Sequence, residues 1–216
     1  MKLSNKYHKI LSLFKRNMEG DKKFIIGEWT TPELAYLKDK DWVWTEKVDG
    51  TNVRIMWNGK EVVFGGRSDD AQMPLNLVQV LDQMFKTFEP RQKFAEIFGV
   101  EDCDVVLYGE GCGAKIQKGG GNYKADGADF VLFDVAVNGT YLERENIEDI
   151  GNKFGLKIVP IIGHGTLEEA IELTKKGFKS QWGDFIAEGI VARPRVELLT
   201  RRGERIITKV KYRDFL

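Results

Sequence analysis

An α+β architecture with largely antiparallel sheets is the fold class this sequence predicts, and three observations carry the prediction. Apolar runs of strand length come in pairs around tight turns, the plainest being Val53-Ile55-Trp57 and Val62-Val63-Phe64 on either side of Asn58-Gly59. Helical patterns stand apart from these pairs and do not alternate with them, so hairpins outnumber parallel crossovers. At 216 residues the chain can bury a substantial core, and one domain spanning 1–216 is the expectation.

Taken in order, Leu3, Tyr7, Ile10, Leu11 and Phe14 lie at helical spacing, which predicts an opening helix from Leu3 to Phe14 ended by the breaker Asn17 to Asp21. Trp42 to Trp44 reads as a strand entering a polar corner, Lys47 to Asn52, and Val53 to Trp57 as the alternating strand that leaves it. Val62 to Phe64 returns from the turn, and Gly65 to Asp70 closes that strand. Leu77, Val80, Leu81, Met84, Phe85 and Phe88 share one helical face, so a helix is expected from Leu75 to Phe88, with Pro74 before it and Pro90 beyond it, then a shorter one from Arg91 to Phe98. Val105 to Tyr108 and Phe130 to Val137 are strand-like, separated by the glycine-rich stretch Gly109 to Tyr123, and the second ends in the turn Asn138-Gly139. Helices over Arg144 to Lys153 and Leu167 to Lys175 precede two last strands, Phe185 to Val191 and Arg205 to Tyr212.

Lysine and arginine together number 33, as do aspartate and glutamate, and the resulting net charge of zero speaks against a protein that coats nucleic acid through bulk electrostatics. Any such contact must be local. One cluster qualifies: Arg193, Arg195, Arg201, Arg202, Arg205, Lys209, Lys211 and Arg213, opposed only by Glu197 and Glu204, although a solvated strand face would carry the same charges. No apolar run approaches the length of a membrane span, and Met1 to Lys6 lacks the features of a secretory signal, so a cytoplasmic location is expected. Cys103, Cys112, His8 and His164 do not have the spacing of a zinc set, which leaves two reduced, structural cysteines.

The letters Gly109-x-Gly111-x-x-Ala114 match the dinucleotide-binding fingerprint, but the context fails. That fingerprint opens a helix, and Gly119-Gly120-Gly121 would break a helix within two turns. It is not a Walker loop either, since no Gly-Lys-Ser/Thr follows.

The chemistry concentrates at Lys47, which stands at the polar corner beside Asp49 and Gly50. A lysine amine is a nucleophile once it loses its proton, and glycine lets backbone approach a phosphate. Alone, Lys-x-Asp-Gly arises by chance on the order of once in a few thousand positions, and a solvated hairpin explains it as well. Its company decides. Lys47-Val-Asp-Gly-Thr-Asn52, Arg67-Ser68, Tyr108-Gly-Glu-Gly111, Phe130-Val-Leu-Phe-Asp134, Glu188-Gly-Ile-Val191 and Lys209-Val-Lys211 resemble, in that order, the motifs of the covalent nucleotidyltransferases, which comprise ATP-dependent DNA ligases, RNA ligases and messenger-RNA capping enzymes. Where DNA ligases and capping enzymes usually carry arginine, this chain has Thr51-Asn52, and with Ile116-Gln117 and Tyr123 it is most similar to phage-type RNA ligases. A DNA ligase adenylation domain and a nucleotide-binding module without ligase activity are the alternatives.

The resemblance implies an adenylation domain of antiparallel sheets flanked by helices, acting as an ATP-dependent RNA ligase. Lys47 would attack the α-phosphorus of ATP and hold AMP through a phosphoramide bond; the AMP then passes to an RNA 5′-phosphate, and a 3′-hydroxyl displaces it. An unperturbed lysine, with a pKa near 10.4, is neutral in only roughly one molecule in a few thousand at pH 7, so nearby cations must lower that value. Lys209 and Lys211, two apart on one strand, would do so while bracing the α-phosphate; lysines guarding an exposed edge strand are the plainer reading. Glu110 and Glu188, expected at strand ends beside glycine, would reach a divalent cation, Mg²⁺ or Mn²⁺, or a ribose hydroxyl of the nucleotide. Phe133 would stack on adenine, or be plain core, and Glu46 or its backbone would read the adenine edge, although in a strand its side chain should point away from Lys47. Arg67 would hold a phosphate in bidentate fashion, Asn52 would lie near the metal or the 5′-phosphate, and Asp49 would brace the corner by accepting from backbone N–H groups. The implied partner is RNA with 5′-phosphate and 3′-hydroxyl ends. Because the chain ends five residues beyond Lys211, no OB-fold is expected, and a separate domain or protein would add to substrate grip.

Overall fold

Apolar alternation becomes sheet through most of the chain in the computed structural model, which describes residues 6–101 and 103–216. The strands are β1 (Leu11–Ser12), β2 (Phe14–Arg16), β3 (Phe24–Trp29), β4 (Trp42–Glu46), β5 (Thr51–Trp57), β6 (Val62–Gly65) and β7 (Val105–Gly113). They continue with β8 (Ala128–Val137), β9 (Thr140–Tyr141), β10 (Lys157–Ile158), β11 (Ile161–Gly165), β12 (Gly189–Pro194) and β13 (Thr208–Lys211). The helices are α1 (Pro32–Leu37), α2 (Leu75–Phe85), α3 (Phe88–Phe98), α4 (Arg144–Phe154) and α5 (Leu167–Lys176). Only β1 with β13 and β10 with β8 pair in parallel among the described residues, so the predicted α+β class with largely antiparallel sheets holds. The described residues gather into two compact units, the first from residues 6–7 and 48–159 and the second from 8–47 and 160–216.

In the first unit the strand order is β10-β8-β7-β5-β6, with β9 on the far side of β8. Strand alternation sends Val53, Ile55 and Trp57 of β5, Val105 and Leu107 of β7, and Phe130 and Leu132 of β8 to one face. There they meet Leu77, Leu81 and Phe85 of α2, Phe94 of α3, and Ile147 and Ile150 of α4. Each large side chain buried there stabilises the fold by about 1.5–3 kcal/mol. The other face is polar and aromatic: it carries Asn52, Arg54, Tyr108, Glu110 and Asp134. Tyr7 packs on this face, 4.9 Å from Tyr108 and 5.1 Å from Phe133 between ring centroids, and its hydroxyl donates to Asp134 Oδ2 at 2.8 Å. The register of β7 against β8 shifts at Tyr108/Gly109, leaving Phe133 as the extra residue of a bulge.

In the second unit the order is β1-β13-β12-β4-β11, with β2 and β3 forming a separate hairpin. Trp42, Trp44, Ile190, Ala192 and Val210 build its core against Leu167 and Ala170 of α5, with Leu13, between β1 and β2, and Phe14 of β2 added. Helix α5 starts at a capping box, in which Thr166 Oγ1 accepts from the Glu169 N–H and the Glu169 carboxylate accepts from the Thr166 N–H.

Several expectations require correction. The described part of Leu3 to Phe14 is not helical; Leu3 itself lies outside the described residues. Its apolar side chains serve two cores, Tyr7 in the first unit and Leu13 and Phe14 in the second, so the helical spacing never forms one face. Helix α3 begins before Pro90, which sits within its first turn, where a missing N–H costs nothing. The strand expected from Phe185 begins only at Gly189, because Ser180 N–H donates to Phe185 O and Ala187 N–H to Phe178 O in a local pairing. Likewise the last strand is Thr208–Lys211, with Arg205 held by an isolated bridge to Leu199. Glu110 lies inside the nine-residue strand β7 and not at its end. Helix α1 escaped the reading, although Thr31 as N-cap and Pro32 in its first turn were legible start signals.

Candidate active site

In the second unit, β4 delivers Lys47 just past its end while β12 and β13 run alongside. Ile190 lies opposite Glu46, Gly189 lies opposite Lys211, and the Lys47 N–H donates to Gly189 O at 2.9 Å. Gly189 can be only glycine here, since a Cβ would lie 2.1 Å from Val210 O. This crossing places Glu188, the residue before β12, between two lysines: Lys47 Nζ donates to Oε2 at 2.7 Å and Lys211 Nζ to Oε1 at 2.6 Å. The three side chains are 17%, 16% and 10% exposed for Lys47, Lys211 and Glu188, so these ion pairs are shielded from water. Burial pushes the Glu188 carboxyl up, but the two ammonium groups outweigh it and hold its pKa below the ordinary value. Lys209 shares the Lys211 face of β13, whose alternate residues Thr208 and Val210 are buried.

Glu46 is 1% exposed, with Oε1 accepting from Ser180 Oγ at 2.5 Å and Oε2 from the Gln181 N–H at 2.9 Å. Burial raises its pKa, and these two hydrogen bonds offset the rise only in part. Ser180 carries no signal in the sequence; it lies in a loop and matters only because the chain brings it to Glu46.

The first unit holds the other candidates. Asn52 on β5 faces Glu110 on β7, and Asn52 Oδ1 is buried with no hydrogen-bond partner among the described residues. Asp49 Oδ2 accepts from the Gly119 N–H at 2.9 Å, so it braces the corner against the glycine-rich stretch far along the chain. Gly50 meets that stretch too: a Cβ would sit 2.3 Å from Gly111 O. The corner glycine therefore answers to a close backbone approach, a reason the sequence did not supply. Phe133 occupies the β8 bulge beside Tyr7. Arg67 is exposed beyond β6 and makes no hydrogen bond or ion pair among the described residues. Arg54 positions that segment. Fully buried, its Nε donates to Gly66 O at 2.8 Å and its Nη2 to Asp69 Oδ1 at 2.7 Å. Arg54 was missed because arginine in an alternating strand reads as solvent-facing.

These groups fit an anionic nucleotide and a hard cation on chemical grounds. A carboxylate spanning Lys47 and Lys211 occupies ground suited to another anion, such as a phosphate. No cluster of three or more His, Cys, Asp or Glu occurs among the described residues. The unpartnered oxygen of Asn52 beside Glu110 nevertheless suits magnesium, which binds through few protein oxygens and keeps water and phosphate ligands. Cys112 is not a rival nucleophile, because burial pushes its thiol up to about 12.

The RNA ligase family model matches residues 40–211 of this chain. The chain belongs to the RNA ligase family. Among solved structures it is similar to Naegleria gruberi RNA ligase with PPi, with a TM-score of 0.64 and 20% identity over 99% of this chain and 61% of that one. A lysine-to-alanine variant of the same ligase with ATP and Mn matches with a TM-score of 0.64 and 20% identity over 98% and 60%. An apo variant matches with a TM-score of 0.61 and 22% identity over 85% and 53%. The chain thus spans about half to three fifths of the length of these ligases. No helix among the described residues is long and apolar enough to cross a membrane.

Two expected results follow from this geometry. Gly50→Ala should lower stability by about 1–3 kcal/mol, the scale of a forced overpacking, and slow any chemistry at Lys47; thermal melting reads the first and covalent labelling the second. Glu188→Gln should be less stable than wild type at neutral pH, with a gap that closes on acidification. The Glu188 pKa is lowered by folding, so its contribution is full above the ordinary glutamate value and vanishes as pH falls through the folded one. Glu46 has the opposite sign: its raised pKa stabilises below the ordinary value, and this contribution is lost as pH rises. Denaturant midpoints of the Glu188→Gln and wild-type proteins between about pH 7 and pH 3 check the argument, and a constant gap would refute it.

Proposed function

We propose that this protein is an ATP-dependent RNA ligase that joins 5′-phosphate and 3′-hydroxyl ends through a lysyl-AMP intermediate. The observation that carries the reading is the Lys47–Glu188–Lys211 bridge in a chain of the RNA ligase family. In the first step the neutral Lys47 amine forms a bond to the α-phosphorus of ATP as the bond to the pyrophosphate oxygen breaks. The ion pair with Glu188 is the arrangement of the protonated amine, so Lys47 must give up both its proton and this contact before attack. Glu188, with its lowered pKa, is a weak base. Its part is that of a counter-ion which yields the two lysines to the phosphate. Lys211, with Lys209 beside it, then meets the charge that builds on the α-phosphate. Mg²⁺ or Mn²⁺, when bound, would supply charge neutralisation at the phosphates, and Glu110, with Asn52 beside it, and Glu188 are the side chains proposed to hold it. Phe133 provides an aromatic surface for adenine, Glu46 holds the β4 end through Ser180, and Arg67 offers its free guanidinium to a phosphate.

RNA is distinguished from DNA at one site by the 2′-hydroxyl. Enzyme already carrying AMP is expected to seal a nicked duplex with two ribonucleotides at the 3′-hydroxyl end far faster than a matched all-DNA nick. Equal rates, or faster sealing of the DNA nick, would refute the assignment to RNA.

A further inference from the structure

The basic cluster of the C-terminal third divides into cations the fold uses and cations it does not. Lys211 belongs to the candidate active site, Arg195 Nη1 pairs with Asp41 Oδ2 at 3.0 Å, and the buried Arg205 forks onto Glu197. Arg201 and Arg202 are exposed and make no ion pair among the described residues. They stand at the tip of an arm that joins β12 to β13, and that arm is internally tied. Ile206 N–H donates to Leu198 O at 2.9 Å, Thr200 N–H to Glu204 O at 2.8 Å, and Gly203 N–H to Thr200 O at 2.9 Å. Thr200 Oγ1 accepts from the N–H groups of Arg202 and Glu204, which closes the turn. The arm also presents Val196 at 72% and Leu199 at 57% exposure, so its own packing leaves it uncovered.

The backbone of a braced tip has little further entropy to lose on binding, and a guanidinium matches phosphate geometry. Because the chain has no net charge, such a tip is a local way to hold a polyanion. We infer that the arm of residues 195–205 docks on the phosphate backbone of an RNA duplex away from the joined ends, with Arg201 and Arg202 as the contacts. Thirteen residues, Gly189 to Arg201, separate the active-site end of β12 from the tip. At strand rise this is at most about 40 Å, so the contact falls within roughly a dozen base pairs of the join. The inference rests on the reading of the chain as an RNA ligase.

The test compares wild type with the Arg201→Ser/Arg202→Ser double variant. Binding is measured by fluorescence anisotropy on 5′-phosphorylated nicked RNA duplexes with long and short arms across a salt series, and AMP adduct formation is measured in parallel. Adduct formation needs no RNA and is expected to be unchanged. On the long duplex the slope of log affinity against log salt is expected to become shallower by about 1.8, or about 0.9 for each lost phosphate contact. A smaller difference is expected on arms of about five base pairs, which leave fewer phosphates within reach of the tip. Unchanged affinity and slope on the long duplex would overturn the inference and leave the arm as a surface for another partner. An equal penalty on both duplexes would overturn it too, by placing the effect at the site itself. Failure of wild type to form an adduct or bind either duplex would instead overturn the ligase reading beneath it.

Discussion

Lys47→Ala is expected to abolish the covalent AMP adduct. Incubated with magnesium and ATP labelled at the α-phosphate, the wild-type protein should acquire a label that survives denaturation, and the variant should acquire none. The letters Lys-x-Asp-Gly recur at Lys124-Ala-Asp-Gly127, but Lys124 is exposed outside any helix or strand, whereas Lys47 is held by backbone on one side, through Gly189 O, and by Glu188 on the other. The effect is total in principle because the bond to phosphorus is made by the very atom removed. Lys47→Arg separates nucleophile from charge: it keeps a cation against Glu188 but cannot lose its proton, so it should also remain unlabelled while melting close to wild type. Absence of label in freshly dephosphorylated wild type would sink the ligase reading, and label from GTP in place of ATP would move the chain to capping chemistry.

Lys211→Ala should slow adduct formation by at least about a hundredfold, the usual scale for losing one oriented charge donor in the transition state. The structure adds a second reason. With Lys211 gone, Glu188 loses one of its two ammonium partners and is left to Lys47, and the pair that must open before attack becomes harder to open. Lys209→Ala, on the same face of β13, should also be impaired but should lack this second component. Glu188→Gln combined with Lys211→Ala is informative for that reason: neutralising the carboxylate should recover part of the Lys211→Ala loss if Glu188 restrains Lys47, and none if Lys211 acts only on the phosphate. Adduct yields near wild type in both single lysine variants would return the pair to edge-strand lysines.

The stretch Lys47 to Asn52, the hairpin around Asn58-Gly59, the turn Asn138-Gly139 and the helices α2, α4 and α5 were all legible, because each depends on residues a few positions apart. Turn chemistry, capping and the periods of strand and helix are local preferences, and here the packing agrees with them. Where local spacing served two masters it misled. Tyr7 and Phe14 fit one helix on paper, yet they belong to different cores, and the Phe185 stretch pairs with its own preceding loop before it reaches the sheet.

By itself the sequence determined the fold class, the family and the residue types that carry the chemistry, since motif order along the chain needs no third dimension. Only the tertiary structure decided which of those residues touch. Lys47 and Glu188 stand 141 positions apart and meet because β4, β12 and β13 are neighbours in one sheet, in a register that brings Gly189 opposite Lys211. It likewise gave Glu46 to Ser180, Asp49 to Gly119 and Arg54 to Asp69, pairings set by strand order and by the cost of burying a polar group without a partner. Those costs are paid between atoms remote in sequence, and no window of neighbouring residues contains them.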